Sequence, residues 1–235
     1  MTAALRIAVV GAESTGKSTL AAALARRLDD EFGLRAVAVP EHLRAWCDAH
    51  GRTPGAAEQW DVARTQLEAI EAAARGAEVV VCDTTPLMTA VYSRMIFDDG
   101  GLDAMARAAH ATMAFTLLTA LDLPWIADGL QRDGPHVREP VDRLVRERLV
   151  GWGVPWALVA GTGAARVENA LDALRPALAA WGRGAAAPRG LFSALLSSGV
   201  GPRGLARVCE LCDDPDCEHA ARAAAALAAQ APDRA

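Results

Sequence analysis

The stretch VVGAESTGKSTL, residues 9–20, decides the fold. It spaces Gly11-x-x-x-x-Gly16-Lys17-Ser18, which is the phosphate-binding pattern G-x-x-x-x-G-K-[ST]. Lys17 is the only lysine; every other basic residue among the 24 Lys and Arg is arginine. A compact ammonium on a flexible stem can reach between the β- and γ-phosphates, whereas a planar guanidinium needs a different approach geometry. Gly11 and Gly16 let the backbone bend around an anion without a Cβ in the way. The Ser18 hydroxyl is placed to meet Mg²⁺. The alternative is a chance glycine turn ahead of a helix, and the flanks argue against it.

Upstream, LRIAVV is a short β-branched apolar run that reads as a buried parallel strand. Downstream, STLAAALARRL is rich in alanine and leucine and reads as a helix. Strand, glycine loop and helix in this order turn backbone N–H groups and the positive end of a helix toward a phosphate. The residues Gly11, Ala12, Glu13, Ser14, Thr15, Gly16, Lys17, Ser18 and Thr19 are therefore expected to hold ATP.

The same alternation continues along the chain. Further strands are expected over residues 34–40, 77–83, 115–121 and 155–161, and helices over 56–76, 141–152 and 164–181, the first closed by Gly76. TPLMTAVYSRMIF and LDAMARAAHATM read as two helices divided by the turn DDGG, and ADGLQRDGPHVREP reads as a polar loop. The expected fold class is α/β: a P-loop kinase-like parallel five-stranded sheet with helices on both faces, plus a small Cys-rich C-terminal appendage. Residues 1–181 form the expected nucleoside-kinase-like domain, 182–190 a linker, and 191–235 the Cys-rich tail.

At 235 residues, 52% apolar and 23% charged, the chain has room for one good core and the composition of a soluble globular protein. A net charge of −5 gives no sign of a nucleic-acid or anionic-membrane partner. The longest apolar stretch, TMAFTLLTAL, is too short to span a bilayer, and no basic leader precedes the first strand. A cytoplasmic protein is expected, with a small-molecule partner and a homo-oligomer left open.

Ligands of α/β sheets sit beyond the carboxyl ends of the strands. Asp83 follows VVVC, the place of a residue that holds Mg²⁺ directly or through water. DTTP also suits a helix start, so an N-cap is its other reading. Thr84 stands where many nucleotide hydrolases carry a water-orienting glutamate, which leans away from an ATP-driven motor. A guanine-reading N-K-x-D motif would need a second lysine. Transfer of the γ-phosphoryl group to a small acceptor is the reading that survives.

Such a reaction needs a lid that excludes water and a group that positions the acceptor hydroxyl. Arg132, Arg138 and Arg143 fall in the expected lid, although each can also coat a solvated helix. Glu41 and Arg44 follow the second strand, where a carboxylate would take the hydroxyl proton or bond a ribose. Asp128 offers a second carboxylate. Trp46, Trp60, Tyr92 and Trp125 can stack on a flat ring, or serve the core.

GAESTGKSTLAAALA, PEHLRAW, VVVCDTTPLMTAVYS and LDLPWIADGL together resemble the nicotinamide riboside kinase domain of bifunctional bacterial NAD-biosynthesis regulators. They are similar as well to stand-alone AAA-type P-loop ATPases or kinases assigned to NAD metabolism. The likeness covers residues 6–181. It implies ATP and Mg²⁺ as cofactors, Lys17, Glu41, Asp83, Arg132 and Arg138 as the catalytic set, and phosphorylation of a ribose 5′-hydroxyl. It implies further that Glu41, Arg44, Tyr92, Trp125 and Asp128 bind the nucleoside, with aromatic residues at the nicotinamide. One departure is local: the family's D-G-L-R is here Asp128-Gly129-Leu130-Gln131, with Arg132 one place later.

The tail lies beyond that likeness. CELCDDPDCEH spaces Cys209, Cys212, Cys217 and His219 as C-x₂-C-x₄-C-x-H, a set able to close a tetrahedral zinc site. A redox C-x-x-C pair, or cysteines without a shared role, are the other readings. A second functional class stays open beside the kinase: an ATP-binding regulator whose zinc-bound tail contacts a partner.

Overall fold

The computed structural model describes residues 3–126 and 134–181. Five parallel strands are joined by helices: β1 (Leu5–Val10), β2 (Ala36–Val39), β3 (Val79–Asp83), β4 (Phe115–Thr119) and β5 (Trp156–Val159). The helices are α1 (Lys17–Phe32), α2 (His42–His50), α3 (Gln59–Ala74), α4 (Pro86–Phe97), α5 (Asp103–His110), α6 (Arg138–Trp152) and α7 (Gly163–Ala180). The expected α/β sheet is thus present; the Cys-rich appendage lies outside the described residues.

The strand order is β2-β3-β1-β4-β5. β1 pairs with β3 from Leu5 opposite Val79 to Val9 opposite Asp83, and with β4 from Ile7 opposite Phe115. The chain leaves β1 toward one edge and leaves β3 toward the other, so a crevice opens between their carboxyl ends. The phosphate-binding loop follows one of these strands and Asp83 ends the other.

Strand alternation builds a core on each face. Ile7, Val9, Val79, Val81 and Leu117 pack against Leu20, Leu24 and Leu28 of α1 and Leu171, Leu174 and Leu178 of α7. Ala8, Val10, Val80, Cys82 and Leu118 pack against Ile70 of α3, Leu87 and Val91 of α4, and Val141, Val145 and Leu149 of α6. α5 joins through Leu102 and Ala106, packed with Ala63 and Ala90.

Four sequence expectations change. α2 follows β2 at once, where no helix is expected between the strand over 34–40 and the helix over 56–76. The 56–76 helix is a 3₁₀ turn, Ala56–Glu58, continued by α3, and Arg75 rather than Gly76 caps it in right-handed conformation. The 141–152 helix starts three residues earlier, entered through the turn Pro135–Val137. β2 and β5 keep only the residues that pair with a neighbouring strand.

Candidate nucleotide site and acceptor pocket

Gly11 (φ +147°) and Gly16 (φ +73°) supply the left-handed turns that close the loop onto α1. A Cβ on Gly11 would collide with Thr119 Oγ1. That hydroxyl donates to Val10 O at 3.2 Å and shares a hydrogen bond with Thr15 Oγ1 at 2.7 Å. Gly16 is the N-cap of α1 and brings no side chain to it, so the first-turn N–H groups face the loop as an anion site. Lys17 is 9% exposed, with Nζ donating to Ala12 O at 2.8 Å. Ser14 ties the loop to the β4 side by donating to Ile126 O at 2.8 Å.

Sequence reasoning missed a second fastening. Arg166 of α7 is 4% exposed and its Nη2 donates to Thr15 O at 2.9 Å. Its Nη1 donates to Asp122 Oδ1 at 2.9 Å and to Gly161 O at 2.8 Å. Burial alone would raise the Asp122 carboxyl, but the Gly161 N–H and the Arg166 guanidinium hold it below its ordinary value. The loop is therefore braced from α7, 151 residues further along the chain.

Asp83 is 5% exposed at the end of β3. Burial pushes its carboxyl up, against the Ser18 hydroxyl, the charges of Lys17 and Arg44, and the Glu41 N–H. It does not cap α4, because Thr85 does: Thr85 Oγ1 accepts from Leu87 N. Asp83 Oδ1 is buried with no hydrogen-bond donor. An acceptor left bare beside a serine hydroxyl and a phosphate loop fits a divalent cation. Thr84, next to it, holds φ +66°, a strain of about 1–3 kcal/mol of the kind that gathers at functional sites.

Ser14, Thr15, Gly16, Lys17, Ser18, Thr19, Pro40, Glu41, Arg44 and Asp83 line one cleft. A second, more apolar cavity is walled by Leu43, Cys47, Pro54, Gln59, Tyr92, Met95, Ile96, Val137 and Val141, with Glu13 and Thr53. Ser14, Lys17, Glu41 and Arg44 belong to both. Glu41 is held at this seam by Gln66 of α3, which sequence reasoning also missed. Gln66 Oε1 accepts from His42 N at 2.7 Å and Nε2 donates to Pro40 O at 3.3 Å, one residue to either side of Glu41. Cys47, although in the wall, is 1% exposed and its thiol is pushed up, mainly by burial, so no nucleophile is prepared there.

The remaining expected residues separate. Tyr92 lines the apolar cavity. Trp125 stands in neither wall, and its indole N–H is buried without an acceptor. Trp46 stacks on His50 at 3.9 Å and Trp60 is 50% exposed. Arg138 is 8% exposed, donates to Leu123 O at 2.9 Å, and keeps Nε and Nη2 buried without acceptors. Arg143 is solvated, paired loosely with Glu147 at 3.9 Å. Asp128, Arg132, Cys209, Cys212, Cys217 and His219 lie outside the described residues. Among the described residues no group of His, Cys, Asp and Glu forms a metal cluster, and no helix is long and apolar enough to cross a membrane.

Three solved structures resemble this one. NadR in complex with NAD and AMP-PNP aligns with a TM-score of 0.60 and 20% identity, over 75% of this chain and 50% of that one. NadR in complex with NR gives 0.57 and 20%, over 74% and 51%. Thymidylate kinase from Ehrlichia chaffeensis gives 0.52 and 14%, over 74% and 98%. The chain spans about half the length of the NadR chains. At such identity these likenesses establish a P-loop kinase-like fold. No protein of curated function matches in sequence. A family model described as AAA domain matches residues 6–166, most of the described sheet with its phosphate-binding loop, and the chain belongs to the AAA domain family.

Proposed function

We propose that the chain transfers the γ-phosphoryl group of ATP, with Mg²⁺, to a hydroxyl of a small nucleoside. The best single acceptor is the 5′-hydroxyl of nicotinamide riboside. The observation that carries this reading is the seam of Ser14, Lys17, Glu41 and Arg44 between a phosphate cleft and an apolar cavity. A hydrolase needs only the cleft. A kinase needs both, with its acceptor's apolar body in one and its hydroxyl reaching the other. The resemblance in sequence and the NadR likeness in fold support the choice of nucleoside.

In this mechanism the acceptor oxygen attacks the γ-phosphorus as the bond to the β–γ bridging oxygen breaks. The hydroxyl proton passes to the Glu41 carboxylate, and ADP leaves. Lys17 balances phosphate charge, Arg44 steadies the acceptor, and Tyr92 faces its ring. Mg²⁺, held by Ser18 and Asp83, would offset the charge of the phosphates. Arg138, with two nitrogens lacking acceptors, has the capacity to meet an anion. Arg132, Trp125 and Asp128 join the proposal on sequence alone.

The test is ATP consumption against a nucleoside panel, with the phosphorylated product identified. A nucleoside monophosphate formed one for one with ADP is expected, fastest for nicotinamide riboside. Slow ATP turnover indifferent to every nucleoside would reject the kinase and favour the regulator.

A further inference from the structure

Gln59 opens α3, lines the apolar cavity and is 3% exposed. Its Nε2 donates to Pro54 O at 3.0 Å. A carbonyl oxygen only accepts, so this bond fixes which end of the amide is which. The other end, Oε1, is buried and no donor reaches it. Gln59 thus brings to the cavity a committed acceptor that the protein leaves unsatisfied, in a wall whose apolar part includes Leu43, Pro54, Met95 and Ile96. Buried acceptors are rarely left so, and a binding cavity is where a ligand can make up the bond.

The geometry points to Gln59 as a specificity determinant: its Oε1 selects acceptor molecules whose ring bears an N–H donor, a carboxamide or an exocyclic amine. A ring carrying a carboxylate at that position meets oxygen with oxygen and is disfavoured. The inference rests on the nucleoside reading of the cavity and adds the chemical feature by which the nucleoside is chosen. Gln59 needs no part in the phosphoryl step, which lies at the Lys17–Glu41 seam.

The discriminating pair is nicotinamide riboside and its carboxylate counterpart, nicotinate riboside, bound to the full chain by calorimetry and then assayed for turnover. The parent is expected to bind the carboxamide at least about tenfold more tightly, as for one hydrogen bond to a buried acceptor. Gln59→Met is expected to erase most of that preference by weakening the carboxamide, while its KM for ATP, which binds in the other cleft, stays near that of the parent. Gln59→Glu keeps an oxygen at the wall and adds like charge against the carboxylate ring, so it is expected to widen the preference. It carries the test if Gln59→Met does not fold.

Equal binding of the two rings by the parent overturns the inference. So does a preference that survives Gln59→Met, or one that fails to widen in Gln59→Glu. Turnover of nucleosides without preference keeps the kinase and rejects the role of Gln59. Preferential binding without turnover keeps the role of Gln59 and rejects the kinase. Binding of neither ring rejects both.

Discussion

Replacing Arg166 by methionine tests whether α7 braces the phosphate-binding loop. The guanidinium makes three hydrogen bonds, to Thr15 O, Gly161 O and Asp122 Oδ1, from a residue 4% exposed. Breaking a buried ion pair by removing one partner costs about 3–5 kcal/mol. The Asp122 side chain is 32% exposed and can be rehydrated, which places the loss near the lower end, about 3 kcal/mol. For a domain of this size each kcal/mol moves Tm by about 2–4 °C, so a fall of about 6–12 °C is expected. Because Thr15 O belongs to the loop, ATP affinity should fall too, on the order of tenfold. Urea unfolding and ATP calorimetry read the two effects separately. Arg64→Met is the control: its pairs with Asp61 and Glu68 are at least half exposed and screened by solvent, so its melting should match the parent's. If Arg166→Met melts within about 2 °C of the parent and binds ATP as well, the brace is not one.

Three more perturbations probe the site and its surroundings. Lys17→Arg keeps the charge but fits a wider group where Nζ sits buried at Ala12 O, and transfer should drop by about two orders of magnitude; near-normal turnover would remove the reason for the lone lysine. Asp83→Asn should weaken the Mg²⁺ response with melting little changed, since Thr85 caps α4; an unaltered magnesium titration would take Asp83 out of the metal site. His110 is 0% exposed between Thr85 and Thr116, and burial pushes its pKa down to about 4 from 6.5. The fold therefore favours the neutral ring, and this contribution is complete above pH 6.5 and lost as pH falls from there through about 4. Between about pH 7.5 and 4.5 the stability advantage of the parent over His110→Gln should shrink by about 2.5 kcal/mol in urea unfolding; a constant gap would show that His110 takes up its proton as readily in the fold as in the unfolded chain.

Strands β1, β3 and β4 are legible because each is a largely apolar run buried on both faces, broken in β1 only by Arg6 and in β4 by two threonines, and the loop motif fixes the turn and helix after β1. α2 is not, because Cys47 is its only buried residue and no apolar period exists to be read. The same contrast runs through the site. Lys17, Glu41, Arg44 and Asp83 can be found by asking which polar residues end a strand. Arg166 cannot, since its partner Thr15 lies 151 residues away and an arginine in the first turn of a helix looks like surface. Gln59 and Gln66 hide for a related reason: glutamine has no charge to flag it, and its worth lies in which backbone carbonyl happens to face it. Trp125 is the opposite case, a large ring near the right strand that the sequence picks out and that stands in neither cavity wall.

The collision awaiting any side chain at Gly11 bears on how this protein can change. Making room would mean trimming Thr119, but that hydroxyl also holds Thr15 and the Val10 carbonyl. A lineage altering position 11 first meets a steric clash, and one altering position 119 first slackens the loop. Either order crosses a fitness valley, so the two positions should drift together or not at all. A mutagenesis library aimed at new acceptors does better to hold both constant and spend its diversity on the apolar wall, at Leu43, Met95 and Ile96, where exchange leaves the loop untouched.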